Sequence, residues 1–362
     1  MEIFHIISHI DLGGAERVAV SIAKSQTDGY IHHIVEVQRG RGGYTQEMLA
    51  ELRQAGIRVH RSWLPVVWHW HYLVERIISC LFPLRMLWLW LRYRPDVVHT
   101  HTEMPDMAVW LSLRLFPFIN VKVVRTIHNT RLWTGMTWIG PRVENFMQRR
   151  NANVAISEGV CKAYMKQYGG VAPTIIYNGV APVEQKSYLG IVPGKTNILF
   201  AGRFEEQKGI ATLCEIVKAL KDDDRYFFHI FGAGTQQSLV DGISSLSNVA
   251  VHPPLPNVST VMASFDYLIM PSLHEGLSIL AIEASMNGLP LMVNRCMGLI
   301  DTLPSDWSLA VDGNDLDQWL HLFRDILPRT NRQACIKSAM AYATEHFSIE
   351  KMQREYTKVY EA

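Results

Sequence analysis

Two carboxylates and two cations carry the strongest chemical signal in this chain. Glu275 and Glu283 stand eight residues apart in Pro271-Ser272-Leu273-His274-Glu275-Gly276-Leu277-Ser278-Ile279-Leu280-Ala281-Ile282-Glu283-Ala284. An apolar run ends at Met270, and Glu275-Gly276 opens a helical pattern. Backbone N–H groups of Gly276, Leu277 and Ser278 at such a helix start would face an anion. A carboxylate beside that terminus can hold sugar hydroxyls, and the second, two turns on, can reach a ribose. The competing reading is a solvated face. Against it, Leu277, Ile279, Leu280 and Ile282 surround Glu283 with apolar side chains, and an idle buried carboxylate is costly. The cations lie in Phe200-Ala201-Gly202-Arg203-Phe204-Glu205-Glu206-Gln207-Lys208-Gly209. A strand ends in Gly-Arg and the next helix starts at Lys-Gly. This is where open α/β sheets bind ligands. Arg203 and Lys208 there can neutralise a diphosphate without a metal. Ordinary surface charge is the rival reading.

Glycine turns follow two other strands. His9-Ile10-Asp11-Leu12-Gly13-Gly14-Ala15-Glu16 permits close backbone approach to an anion, or is simply a tight turn. Phe231-Gly232-Ala233-Gly234-Thr235 lacks the third glycine of a dinucleotide fingerprint, because position 237 is Gln. That argues against a nicotinamide site. His99 and His101 flank Thr100 at a strand end, on one face, with no third metal ligand apparent. Asp222-Asp223-Asp224 lies in a charged loop away from the other motifs, so no metal site is expected.

These residues need parallel sheets to position them. Short apolar runs alternate with helical patterns along the chain, as in βαβ units. Strands are expected at 3–7, 33–37, 97–99, 122–126, 154–156, 197–201, 227–231, 249–252, 267–270 and 291–294. Helices are expected at 15–25, 45–55, 209–221 and 277–287. The pattern restarts near Thr196, which divides the chain into an N-terminal domain (1–180), a linker (181–195), a C-terminal domain (196–345) and a final helix (346–362). In that helix Ile349, Met352, Tyr356 and Val359 form one apolar face.

Composition narrows the function. Of 362 residues, 48% are hydrophobic and 19% charged, which excludes a disordered chain. A net charge of +1 argues against a nucleic-acid partner. It hides an asymmetry: residues 1–180 hold 20 basic and 13 acidic side chains (+7), and residues 181–362 hold 15 and 21 (−6). Five scattered cysteines suit a reducing compartment. The N-terminus has no signal-peptide pattern, and a cytoplasmic protein is expected. Between Arg53 and Arg94 lie seven arginines, the single acid Glu75, and Trp63, Trp68, Trp70, Trp88 and Trp90. Arg and Trp beside apolar residues suit peripheral contact with an anionic membrane surface, with Arg76, Arg85 and Arg92 as the charges to test. An ordinary packed helix pair is the alternative.

Taken together, these segments resemble the family 4 retaining glycosyltransferases of GT-B architecture, over nearly the whole chain. The match rests on Gly13-Gly14-Ala15-Glu16, Asn178-Gly179-Val180, Gly202-Arg203 to Lys208-Gly209, Phe231-Gly232-Ala233-Gly234, and Glu275 with Glu283. The resemblance implies an α/β fold of two Rossmann-like domains facing each other across a cleft, the last helix crossing back to the first domain. It implies a nucleotide-sugar donor on the C-terminal domain, held by Gly14, Arg203, Lys208, Gly232, Glu275, Gly276, Leu277, Ser278 and Glu283. It assigns Glu275, His128, Arg203 and Lys208 to catalysis, and Glu16 and His101 to the acceptor. His99 is read as structural. No cofactor is implied. Two segments depart from the family: Glu275-Gly276-Leu277-Ser278-Ile279 replaces Glu-Gly-Phe-Gly-Leu, and Arg295-Cys296-Met297-Gly298-Leu299-Ile300-Asp301 matches an acidic, Gly-rich loop poorly.

The expected activity is transfer of a hexose or N-acetylhexosamine from a nucleotide sugar, UDP-linked, to a lipid-linked or surface-polysaccharide acceptor, an oligosaccharide. The alternatives are a nucleotide-sugar epimerase or phosphorylase on the same architecture, or a non-catalytic glycan-binding subunit.

Overall fold

A computed structural model describes residues 1–11, 13–25, 28–65, 71–134 and 136–362, with the backbone alone for 71–79. The chain forms two compact units. The first is Met1–Gly179 with Ile349–Ala362, and the second is Val180–Ser348.

The first unit is built on strands β1 (Glu2–Ile7), β2 (Ile31–Glu36), β3 (Arg58–His60), β4 (Val97–Thr100), β5 (Lys122–Ile127), β6 (Asn153–Ala155) and β7 (Thr174–Ile175). They pair in parallel in the order β3-β2-β1-β4-β5-β6-β7. Helices α1 (Gly14–Ala23), α2 (Gly43–Gln54), α3 (His71–Tyr93), α4 (Glu103–Leu115), α5 (Gly140–Arg149) and α6 (Glu158–Tyr168) connect them. Helix cover on the faces explains why the central strands read as unbroken apolar runs rather than alternating ones. In β1, all residues from Ile3 to Ile7 are buried.

The second unit repeats the plan. Strands β8 (Thr196–Ala201), β9 (Tyr226–Phe231), β10 (Val249–His252), β11 (Tyr267–Met270), β12 (Leu291–Asn294) and β13 (Ala310–Val311) run parallel in the order β10-β9-β8-β11-β12-β13. Helices α7 (Ile210–Ala219), α8 (Gln237–Asp241), α9 (Ile279–Met286), α10 (Leu316–His321) and α11 (Arg332–Phe347) accompany them. In both sheets the strand order reverses beside the first strand, between β1 and β4 and between β8 and β11. That reversal opens a crevice at the carboxyl ends of the strands.

The last helix, α12 (Ile349–Glu361), returns to the first unit. Met352, Tyr356 and Tyr360 are buried against Ile3, Val97, Val124 and Val154. Tyr360 Oη lies 2.8 Å from His99 Nδ1, and Tyr356 Oη 2.7 Å from Thr126 Oγ1. The apolar spacing at the end of the chain thus becomes one wall of the N-terminal core.

Three strands escape the periodicity reading: β3, β7 and β13. Each is two or three residues long and each closes a sheet edge. Residues 181–195 lie along the second unit. Gln185 Nε2 donates to the Ser259 carbonyl (2.8 Å) and to Asn287 Oδ1 (2.9 Å), and the Tyr188 ring stacks on Phe265 at 5.2 Å. Among the described residues, no helix is long and apolar enough to cross a membrane.

Candidate active site

In the second unit the motifs converge on the carboxyl edge of β8 and β11. After β8, Phe204 turns into the core and its N–H donates to the Ala233 carbonyl at 2.9 Å. A Cβ on Gly232 would lie 2.1 Å from the Gly202 carbonyl oxygen, and one on Gly234 2.5 Å from the Phe204 oxygen. Both glycines are therefore required for two loops to lie backbone on backbone.

The next turn delivers Lys208. Residues Glu206–Lys208 form one 3₁₀ turn, closed by Gly209 at φ +68°, and a Cβ there would meet the Pro271 carbonyl at 1.8 Å. Two hydrogen bonds fasten this turn to the loop after β11: Leu273 N–H to the Gln207 carbonyl (2.8 Å) and Gln207 Nε2 to the His274 carbonyl (3.0 Å). Lys208 Nζ then stands 2.7 Å from Glu275 Oε1, with side chains 19% and 8% exposed. Two residues singled out from separate motifs so form one ion pair. From below, Asn294 Nδ2 donates to the Ser272 carbonyl and Asn314 Nδ2 to the Pro271 carbonyl, each at 2.9 Å.

The loop at 295–301, a poor family match in sequence, holds Glu275 from the other side. Glu275 N–H donates to the Met297 carbonyl and Ser278 N–H to the Gly298 carbonyl, each at 3.1 Å. Gly298 sits at φ +78°, and a Cβ on it would come within 2.2 Å of the Glu275 carbonyl oxygen. This corrects two expectations. The helix opens at Ile279, not at Glu275-Gly276. Ser278 is its N-cap, the hydroxyl accepting from Ala281 N–H, so its own amide is already spent on Gly298 and does not face an anion. A serine ahead of an apolar helical run is the signal that marks such a cap. Glu283 is half-buried rather than enclosed, which removes the burial argument made for it. Arg203 is exposed at the same edge as Lys208, and Gly276 and Leu277 lie in the loop before the cap. In the acidic loop, Asp223 is bonded to Arg225 and Asp224 to Lys195, at 2.7 and 3.3 Å.

The first unit presents a second set of groups at its own carboxyl edge. Gly14 begins α1, exposed, with open space where a Cβ would be. Glu16 is half-buried beside it, and burial raises its pKa. Beneath them the buried carboxylate of Glu36 accepts from the N–H groups of Ile10 (2.9 Å) and Gly40 (3.0 Å) and pairs with Arg61. His101 and His128, after β4 and β5, border one narrow recess with Asp106, Arg125 and Asn129. Among the described residues, His101 Nδ1 and His128 Nε2 are buried atoms without hydrogen-bond partners.

Behind His101 the imidazoles form a chain. His101 Nε2 lies 3.2 Å from His5 Nδ1, and His5 Nε2 lies 3.0 Å from His32 Nδ1. His99 is held by Tyr360 and by Thr126 Oγ1 at 2.7 Å. Ring nitrogens of His5, His99 and His101 fall within 4.8 Å of one another, a metal-sized grouping. His5 is thus the third imidazole that the His99–His101 pair lacked in sequence. Both ring nitrogens of His5 and of His99 are engaged in hydrogen bonds, so the grouping here is a hydrogen-bonded chain. Burial depresses all of these pKa values, with neighbouring imidazoles adding to it for His5, His99, His101 and His32; His32 reaches about 4.

One buried network was not read from sequence. Arg125 Nε contacts Asp106 Oδ2 and its Nη1 contacts Glu144 Oε2, both at 2.7 Å. Trp133 Nε1 (2.6 Å) and Tyr164 Oη (2.8 Å) donate to Glu144. One guanidinium faces two carboxyls, and burial, with Glu144 nearby, pushes Asp106 up to about 7. The signal available was a lone arginine inside an apolar strand, Lys122–Ile127.

The arginines expected at a membrane divide. Arg85 points inward and donates to the carbonyls of Glu36 and His60, the latter at 2.7 Å, so it is an internal brace. Arg92 is exposed. Trp68 and Trp70 lie outside the described residues, as do the side chains of Glu75 and Arg76.

Two family models match the chain in tandem: Glycosyltransferase Family 4 over residues 12–184 and Glycosyl transferases group 1 over residues 195–327. The chain is a family 4 glycosyltransferase of GT-B architecture. This glycosyltransferase is 25% identical to an uncharacterized 41.2 kDa protein of the Klebsiella pneumoniae cps region, over 58% of this chain and 62% of that one. It is 29% identical to a D-inositol 3-phosphate glycosyltransferase of Arthrobacter, over 62% and 61%. The aligned segment thus spans about three fifths of each of these curated relatives. Solved structures extend the likeness to the whole fold. A Rickettsia africae glycosyltransferase superimposes with TM-score 0.77 at 16% identity, covering 99% of this chain and 97% of that one. Anabaena HepE in complex with UDP-glucose gives 0.75 at 17% identity, covering 99% of each.

Proposed function

We propose that this glycosyltransferase retains anomeric configuration and moves a hexose or N-acetylhexosamine from a UDP-linked donor to a lipid-linked or surface-polysaccharide acceptor. The observation that carries the reading is the Lys208–Glu275 pair, fastened on both sides at the carboxyl edge of the second sheet. When the glycosidic C–O bond breaks, negative charge grows on the departing diphosphate. In this reading Lys208 and the exposed Arg203 meet that charge, with no metal required. Glu275 holds Lys208 in place beforehand and then turns its carboxylate to a sugar hydroxyl. Glu283 takes the ribose, and Gly232, Gly276 and Leu277 shape the donor pocket. On the first unit, Gly14 approaches the diphosphate through its backbone, His128 meets the transferred sugar, and Glu16 and His101 take the acceptor. The unpartnered ring nitrogens of His101 and His128 support hydroxyl recognition.

The UDP donor is favoured by the Anabaena structures with UDP and UDP-glucose. The surface-glycan acceptor is favoured by the cps-region relative and by a structural neighbour, WaaG, involved in lipopolysaccharide biosynthesis. An enzyme of this kind would work in the cytoplasm, at the inner face of the membrane.

The test is release of UDP from a panel of UDP-sugars, with and without oligosaccharide or lipid-linked acceptors, in the presence of EDTA. Lys208→Ala and Glu275→Ala should each lower kcat by about 10²–10³, the loss typical of removing one charge-stabilising donor. Full activity in both variants would refute the site. Conversion of the sugar without any acceptor would favour an epimerase.

A further inference from the structure

Helix α3 is apolar on two opposite sides. One side, with Phe82, Met86 and Leu89, is buried in the core of the first unit. The other carries Leu81, Leu84, Trp88 and Leu91, all between 50% and 66% exposed. Their spacing of three, four and three residues places them on a single face. A helix apolar all round is normally covered all round. Here the neighbouring segment widens the uncovered surface instead. Helix α4 packs beside α3, and Leu115 at its end and Phe118 just beyond it are exposed. The Phe118 ring lies 5.9 Å from Trp90, which ties this segment to the flank of α3.

The exposed charges around this face are mainly basic, with Asp96 the acid that borders the same recess as Trp90 and Arg94. Arg92, Arg94 and Arg114 are exposed. Residues 80–94 and 111–119 contain no acid. The guanidinium of Arg94 stands over the Trp90 ring at 3.9 Å, and that of Arg114 near the Trp110 ring at 5.8 Å. A second copy of the same face would bring cation against cation. An anionic lipid surface meets leucine and tryptophan with acyl chains and arginine with phosphate.

We infer that this face of α3 and the end of α4 is a docking surface for an anionic bilayer. It deepens the lipid-linked acceptor reading and rests on it only for the biological reason to dock. Binding is measured without turnover, so the two can fail separately. Arg85 takes no part, being hydrogen-bonded inside the unit.

The experiment is co-sedimentation of the full chain with phosphatidylcholine vesicles and with vesicles that also contain phosphatidylglycerol. Tryptophan emission is recorded alongside. The protein should bind the anionic vesicles, release with added salt, and show a blue shift. Leu84→Ser with Trp88→Ser should abolish binding while its three arginines remain. Arg92→Glu and Arg114→Glu should each weaken the partition at least about fivefold, the worth of one arginine near an anionic surface. Both sets change exposed side chains, and melting curves would show the fold retained. Equal binding to neutral and anionic vesicles would overturn the proposal. So would a dimer in lipid-free solution that Leu84→Ser dissociates.

Discussion

Mild acid should destabilise the first unit, and the size of the effect follows from four histidines. His5, His32, His99 and His101 are enclosed, and burial holds each pKa below the ordinary value, His32 at about 4. In the unfolded chain each titrates near about 6.5. The folded values are the lower ones, so the unfolded chain binds more protons as pH falls below about 6.5. The stability held by neutral imidazoles is complete above that pH and is lost on acidification toward the folded values. At about pH 5.5 each one kept neutral costs about 1.4 kcal/mol, and the four together about 5–6 kcal/mol. His33, His60 and His128 are lowered to about 4, 4 and 3 and act in the same direction. Asp106 opposes them. Its folded pKa is raised to about 7, so folding takes up a proton there and recovers about 2 kcal/mol by about pH 5.5. Glu16, raised by burial, acts in the same direction as Asp106. A net loss of a few kcal/mol, about 3, remains against a typical domain stability of about 5–15 kcal/mol. Eight of the ten tryptophans precede residue 140, so tryptophan emission reports on this unit. Urea unfolding followed by emission should show the midpoint falling steeply between about pH 7 and pH 5.5. A flat midpoint over that range would refute the claim that the imidazole chain is held neutral.

Three further outcomes are expected. Gly209→Ala should destabilise the second unit by about 1–3 kcal/mol, through its positive φ and the contact with Pro271, and weaken UDP binding; calorimetric titration and melting check both. Trp133→Phe strips Glu144 Oε1 of its donor, so the urea midpoint should report a cost of about 1–3 kcal/mol. Tyr360→Phe leaves His99 Nδ1 without its partner and should cost a similar about 1–3 kcal/mol. Donor affinity should be untouched in that variant.

The central strands were legible because a strand covered on both faces must be apolar throughout, and such runs are conspicuous. The short strands β3, β7 and β13 were not, since two or three residues carry no period. In the site, Lys208 and Glu275 were legible as residue types. Their pairing was not, because it depends on the left-handed turn at Gly209 and on the bonds by which the Gln207 carbonyl accepts from Leu273 N–H and its side-chain amide donates to the His274 carbonyl. The 295–301 loop was undervalued for the same reason: Met297 and Gly298 act through carbonyls, which leave no side-chain signature. Arg85 misled for the opposite reason. Its composition context suggested a surface charge, while Glu36 and His60 lie 49 and 25 residues away in sequence and claim it for the interior.

The return of α12 has a consequence for how the protein is made. The first unit comprises residues 1–179 and 349–362, so its two parts leave the ribosome separated by the whole of the second unit. During that interval the strands around Ile3, Val97 and Val124 lack their cover, and His99 lacks the tyrosine that satisfies it. The domain synthesised first is the last to be completed, and it must wait for its final helix as a partly open sheet. Protection from aggregation during elongation, rather than stability of the finished fold, then becomes the demand placed on this half of the chain.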